Sequence, residues 1–169
     1  MNTYDLLQSQ KKAIDADFRV RDGRFTKLRK LAADLDADIK ELGFFVELHT
    51  ASVCPDCSSV CCINRHSYHA PEDLVYIHAL GGEFPLHARG LDNAEPCQFL
   101  GHQGCTIQRS LRPYRCNWYF CSSLLEHISG HNSRRQYRFF ISLLERITGK
   151  RLTLMEEYAS VSGRSRRTC

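Results

Sequence analysis

The stretch from Cys54 to Cys62, Cys-Pro-Asp-Cys-Ser-Ser-Val-Cys-Cys, constrains this chain more than any other. Four sulfurs fall within nine residues, a density that core packing does not require. A second group follows at Cys97, Cys105, Cys116 and Cys121. Eight of the nine cysteines therefore form two sets of four, separated by residues 63–96. A chain of 169 residues can bury a hydrophobic core without disulfide staples. In a reducing compartment, clustered thiols are metal ligands or redox groups more often than structural disulfides. The expectation is that the two sets meet in space and hold metal through Cys54, Cys57, Cys61, Cys62, Cys97, Cys105, Cys116 and Cys121. Cys169 is isolated near the end and is not expected to be a ligand.

The compartment is read from the first residues. Met-Asn-Thr-Tyr-Asp-Leu-Leu-Gln-Ser-Gln-Lys-Lys lacks the apolar run of a signal peptide. No stretch approaches the ~18 apolar residues of a membrane span. The expected location is cytoplasmic, with no membrane partner. Residues 54–130 hold five basic and seven acidic side chains, whereas residues 131–169 hold nine and three. The positive excess is thus C-terminal, where a solvated helix face accounts for it. A nucleic-acid partner is not expected, and the protein partner or substrate and the oligomeric state are left open.

Apolar periodicity predicts a mainly α fold, with helices packed around an irregular, cysteine-rich metal-binding core. Residues 1–50 read as an N-terminal helical arm or hairpin. One helix spans 3–19, with Leu7, Ile14 and Phe18 on one face, and Asp22-Gly23 breaks the chain. In a second helix, Phe25, Leu28, Leu31, Leu35, Ile39 and Leu42 recur at intervals of three and four, and Gly43 is the expected stop. Phe44 to Leu48 then reads as a short apolar anchor. Residues 51–125 form the expected metal-binding core. Within it, Pro71-Glu72-Asp73 opens a helix ended by Gly81-Gly82, and residues 83–96 are an irregular loop. Residues 126–162 are C-terminal helices packing on the core. There Ser133-Arg134-Arg135-Gln136 matches a capping box, Tyr137, Phe140, Ile141, Leu144 and Ile147 line one face, and Gly149 is the expected close. Residues 163–169 read as a frayed basic tail.

Cys61-Cys62 is the most informative detail of the thiol pattern. Adjacent residues in extended backbone point to opposite sides, so they are awkward as two ligands of one zinc. They serve two sites, or one of them is a packing sulfur. Only Cys54/Cys57 has Cys-x-x-Cys spacing. Seven residues separate Cys97 from Cys105 and four separate Cys116 from Cys121. Thiolates suit both zinc and iron–sulfur centres. The uneven spacing favours an iron–sulfur cluster of the four-iron kind, with zinc as the alternative.

The combined motif resembles the YkgJ-like cysteine-cluster family, a zinc- or iron-chelating domain. The segments that carry the resemblance are Cys54 to Cys62, Cys97-Gln98-Phe99-Leu100, Gly104-Cys105-Thr106-Ile107 and Arg112-Pro113-Tyr114-Arg115-Cys116. They cover residues 54–121. This chain has Val60 where the family often has glycine, and Asn117 where it often has arginine. The resemblance implies a metal centre without a defined reaction. Some lysine methylases acting on flagellin are similar in cysteine pattern, which keeps an enzymatic role open.

Other residues invite weaker readings. His66 and His69 could supply nitrogen ligands, although a polar loop role is the simpler expectation, and His102 is comparable. Arg112 and Arg115 either donate to cluster sulfurs or are surface arginines. Trp118-Tyr119-Phe120 is expected to cover the site and exclude water. No phosphate loop, dinucleotide fingerprint or Ser/His/Asp order appears. The resulting expectation is a metal-chelating protein with a redox, sensing or modification-related role. The alternatives are a zinc-stabilised protein- or nucleic-acid-binding module and a metal-handling protein.

Overall fold

A computed structural model describes residues 3–19, 23–58, 60–102 and 104–163. The expected break at Asp22, most of the expected tail and Cys169 lie outside the described residues. The fold is mainly α. Its helices are α1 (Thr3–Phe18), α2 (Thr26–Val53), α3 (Pro71–Leu80), the single turn α4 (Arg115–Trp118), α5 (Ser122–His131) and α6 (Arg134–Ser162). A two-residue hairpin, β1 (Leu100–Gly101) and β2 (Gly104–Cys105), pairs antiparallel with Leu100 opposite Cys105. Among the described residues, no helix is long and apolar enough to cross a membrane.

Helix α2 runs through Gly43, where a stop was expected. Helix-interior glycine costs about 1 kcal/mol against alanine. Burial of Leu42 and Val46 on either side offsets that cost, both being fully covered. Gly43 has a packing reason: a Cβ there would lie 3.2 Å from Cδ of Arg109. The missing side chain lets Arg109 cross the helix. The apolar run from Phe44 to Leu48 is therefore part of α2 and not a separate anchor. Phe44 and Leu48 face outward, and Val46 faces the core.

Helix α6 likewise runs through Gly149, which is exposed and has open space around it. Burial of Ile147, Leu154 and Tyr158 continues the same face past the glycine. Ion pairs tie this stretch to its neighbours. Lys150 reaches Asp38 at 2.7 Å, and Arg151 reaches Asp73 at 3.0 Å. The buried face also differs from the expected one. Phe140, Leu143 and Ile147 are buried, whereas Ile141 is exposed, so Leu143 takes its place. The capping box forms as expected, with Gln136 N–H donating to Ser133 Oγ and Ser133 N–H donating to Gln136 Oε1.

Helix α3 begins at Pro71, and Asp73 accepts from the Ala70 N–H at 2.9 Å. It ends at Gly81, which takes the left-handed conformation (φ 76°) favoured by glycine. Leu74, Val75, Tyr76, Ile77 and Ala79 are all buried, because α3 is covered by α1, α2 and α6. One core joins α1, α2, α3, α5 and α6. Helix α2 packs chiefly on α6 and also on α3 and α5, while α1 lies on α3. Residues 83–96 form no helix or strand, as expected.

Candidate metal centre

The cysteine segments hang from the ends of this bundle. Cys54 caps α2, its N–H donating to Thr50 O at 2.9 Å. Cys57 N–H turns back to Cys54 O at 3.3 Å. The chain then extends past Cys61 and Cys62 and runs beside the start of the second set. Cys97 N–H donates to Cys62 O at 2.9 Å, and Ile63 forms an antiparallel bridge with Pro96. Residues remote in sequence are thereby adjacent in space.

Asn64 fixes this meeting. It is buried, its Nδ2 donates to Asp92 O at 3.0 Å, and its Oδ1 accepts from Gln98 N–H at 2.8 Å. Its backbone N–H reaches Glu95 O at 3.0 Å. Beyond Cys97, the β1–β2 hairpin turns the chain so that Cys105 comes back beside Leu100. Cys116 lies in α4, and Cys121 immediately precedes α5.

All eight cysteines among the described residues are free thiols. Their electrostatics record which lie close together. Cys54 is pushed up by burial and then by Cys61, Cys121 and Cys57. Cys61 is pushed up by burial and by Cys121, and it hydrogen-bonds with both Cys62 and Cys121. Cys62 is exposed at the surface, yet the protein packed around its sulfur, and then Cys61, Cys116, Cys54 and Cys97, push it up to about 12. Burial is also the first cause of the rise at Cys97, with Cys105 the neighbouring thiol. Cys116 is pushed up to about 12 by burial, Cys105 and Cys97.

Cys54, Cys57, Cys61 and Cys121 are neighbours of one another, and Cys97, Cys105 and Cys116 form a second neighbourhood. Cys62 joins the two, feeling Cys61 and Cys54 on one side and Cys116 and Cys97 on the other. The thiols lie as neighbours and not as a closed shell. Among the described residues, no three His, Cys, Asp or Glu side chains share metal-coordination geometry. The chemistry of the donors nevertheless fits a soft cation. Six of the thiols are half-buried, and Cys61 and Cys62 are exposed. Gathered thiols resist ionisation because each new thiolate repels the others, and a bound cation removes that cost.

Arginines fasten the second set through its backbone. Arg112 Nε donates to Ile107 O at 2.8 Å, and its Nη2 lies 3.5 Å from Cys105 O. Arg109, which the sequence pattern did not single out, is buried. Its Nη1 lies 3.4 Å from both Cys116 O and Asn117 Oδ1. Its Nε is buried without a hydrogen-bond partner, and Glu47 Oε1 is 3.8 Å away. Burial and Arg112 together lower Arg109 to about 10. The signal that could have exposed it is Gly43, whose space it fills. Arg115 is exposed and lies over the Tyr119 ring, 5.1 Å from its centroid.

The remaining candidates separate by burial. His69 is buried and donates to Leu111 O at 2.8 Å, a structural role. His66 lines an open cleft, and His102 is exposed at the hairpin turn. The expected aromatic cover is incomplete. Phe120 packs edge-on to Phe140 at 5.3 Å, but Trp118 and Tyr119 are 46% and 42% exposed. They belong to the surface beside the cysteines, because α4 is a single turn that cannot bury every side.

None of the protein-family models, curated proteins or solved structures compared with the chain matches it.

Proposed function

We propose that this chain is a metal-chelating cysteine-cluster protein of the YkgJ-like kind, holding metal in two four-sulfur sets. Cys54, Cys57, Cys61 and Cys121 would hold one centre, and Cys62, Cys97, Cys105 and Cys116 the other. The observation that carries this reading is the backbone bond from Cys97 to Cys62, which brings the two cysteine-bearing segments together and supports grouping Cys62 with the second set, although its thiol also neighbours Cys61 and Cys54. Iron–sulfur clusters of the four-iron kind are the preferred filling. They would supply one-electron redox chemistry for electron transfer, sensing or a modification reaction. Arg109 and Arg112 would hold the Cys116 and Cys105 backbone and add positive charge near those sulfurs.

The even division into fours also favours a second reading, two structural zinc ions stabilising a binding module. Anaerobic expression with iron, followed by iron, sulfide and zinc assays and paramagnetic resonance after reduction, separates the two. Acid-labile sulfide supports the iron reading. Two zinc ions without sulfide would replace it with the zinc module. Cys57→Ser and Cys97→Ser then test the partition. Each should lose about half the metal while keeping the helical circular dichroism of the parent. Complete loss in either variant, with helicity retained, would mean one shared centre.

A further inference from the structure

Beside the second cysteine set, α4 and the turn after Cys62 open onto a cleft of about 620 Å³. That volume lies within the range of small-molecule sites. Three arginines line it, Arg65, Arg115 and Arg151, with aromatic walls from Tyr114 and Trp118. Asp73 is the one acidic residue in the lining. It is already engaged, accepting from Arg151 at 3.0 Å and from the Ala70 N–H at 2.9 Å. Arg151 is further held by Glu72 at 3.6 Å and lies over the Tyr114 ring at 4.3 Å. It forms a fixed wall.

Arg65 and Arg115 differ from Arg151. Both are exposed, they come from separate segments, and neither has a carboxylate partner among the described residues. His66, on the same cleft, is held below its ordinary value first by burial and then by the charges of Arg115 and Arg65. Two arginines without a carboxylate partner among the described residues thus line one concavity, Arg115 with its guanidinium over the Tyr119 ring. Forked donors of this kind match the oxygens of a phosphate. Next to them stands the Trp118 indole, nearly half exposed, 6.4 Å from the Tyr114 ring. An exposed indole gives a planar ligand a stacking face.

We propose that this cleft binds a small aromatic phosphate of the nucleoside monophosphate class. The phosphate lies between Arg65 and Arg115, and the base stacks on Trp118. A nucleic-acid strand fits less well. Residues 54–130, which supply all of the cleft lining except Arg151, carry more acidic than basic side chains overall. This site is independent of which metal the cysteines hold.

The chain has one tryptophan, so its fluorescence reports this cleft directly. Full-length protein of measured metal content is titrated with AMP, adenosine and inorganic phosphate. Trp118 emission and calorimetry are the two readouts, because an iron–sulfur cluster can quench the emission. AMP should bind saturably, with adenosine and phosphate each at least roughly tenfold weaker, since each lacks one of the two contacts. Arg65→Gln and Arg115→Gln should each weaken AMP binding roughly tenfold at unchanged metal content and helicity, as loss of one charged fork requires. Two variants on different segments guard against one failing to fold. AMP binding no tighter than adenosine or phosphate, or binding unaffected by both substitutions, overturns the proposal. Neither outcome bears on the metal assays.

Discussion

Replacing Asn64 with alanine tests how the two cysteine sets are held together. Asn64 is 3% exposed and joins three segments. Its amide donates to Asp92 O at 3.0 Å and accepts from Gln98 N–H at 2.8 Å, one residue past Cys97. Alanine keeps the backbone bonds to Glu95 and Ser67 but removes both side-chain bonds. A net hydrogen bond contributes about 1 kcal/mol, and a buried group left without a partner costs about 1–3 kcal/mol. Gln98 is only half-buried, so water recovers part of its loss. The expected destabilisation is about 2–4 kcal/mol, which for a domain of this size is a fall in Tm of about 5–15 °C. Calorimetric melting at matched metal content reads the shift. Hydrogen exchange should show the Arg65, Cys97 and Gln98 amides losing protection first. A Tm shift under about 2 °C, with those amides still protected, would refute the role given to Asn64.

Acidification should destabilise the α2–α5 contact. Burial, then His127 and His131, hold His49 below the ordinary value of 6.5, and its Nδ1 lies 3.1 Å from His127 Nδ1. Because the fold favours the neutral ring, the unfolded chain takes up the proton first as pH falls. The His49 contribution is therefore complete above 6.5 and declines on acidification through its depressed range. Urea unfolding at about pH 7.5 and about pH 5.5 should show a smaller difference in His49→Gln than in the parent. Phe140→Ala should cost about 3–5 kcal/mol in the same assay, since Phe140 is fully buried against Phe45 and Phe120. A loss below about 1 kcal/mol would place Phe140 outside the core. Chelation should strip exchange protection from residues 54–70 and 97–121 while α2 and α6 keep theirs, because metal–sulfur bonds would supply much of the order there. Equal protection with and without metal would count against that view.

The amino-acid sequence by itself determined the helices whose apolar spacing is strong. The face from Phe25 to Leu42, the Pro71 start, the Gly81 stop and the Ser133 capping box all rest on interactions within a few residues. It also placed eight thiols in two groups and marked Cys61-Cys62 as either serving two sites or pairing a ligand with a packing sulfur, from the alternation of extended backbone. Tertiary structure decided what lies at long range. Gly43 and Gly149 read as stops because a local rule weighs glycine alone, whereas burial on both sides of Gly43 and ion pairs beyond Gly149 carry the helices through. The two sequence groups meet in space: Cys121 lies near Cys54 and Cys61, and Cys62 is bonded through its backbone to Cys97 while its thiol also neighbours Cys61. Nothing in local spacing encodes that meeting. It follows from the backbone pairing of residues 62–64 with residues 92–98, held by a buried asparagine whose partners lie about thirty residues away.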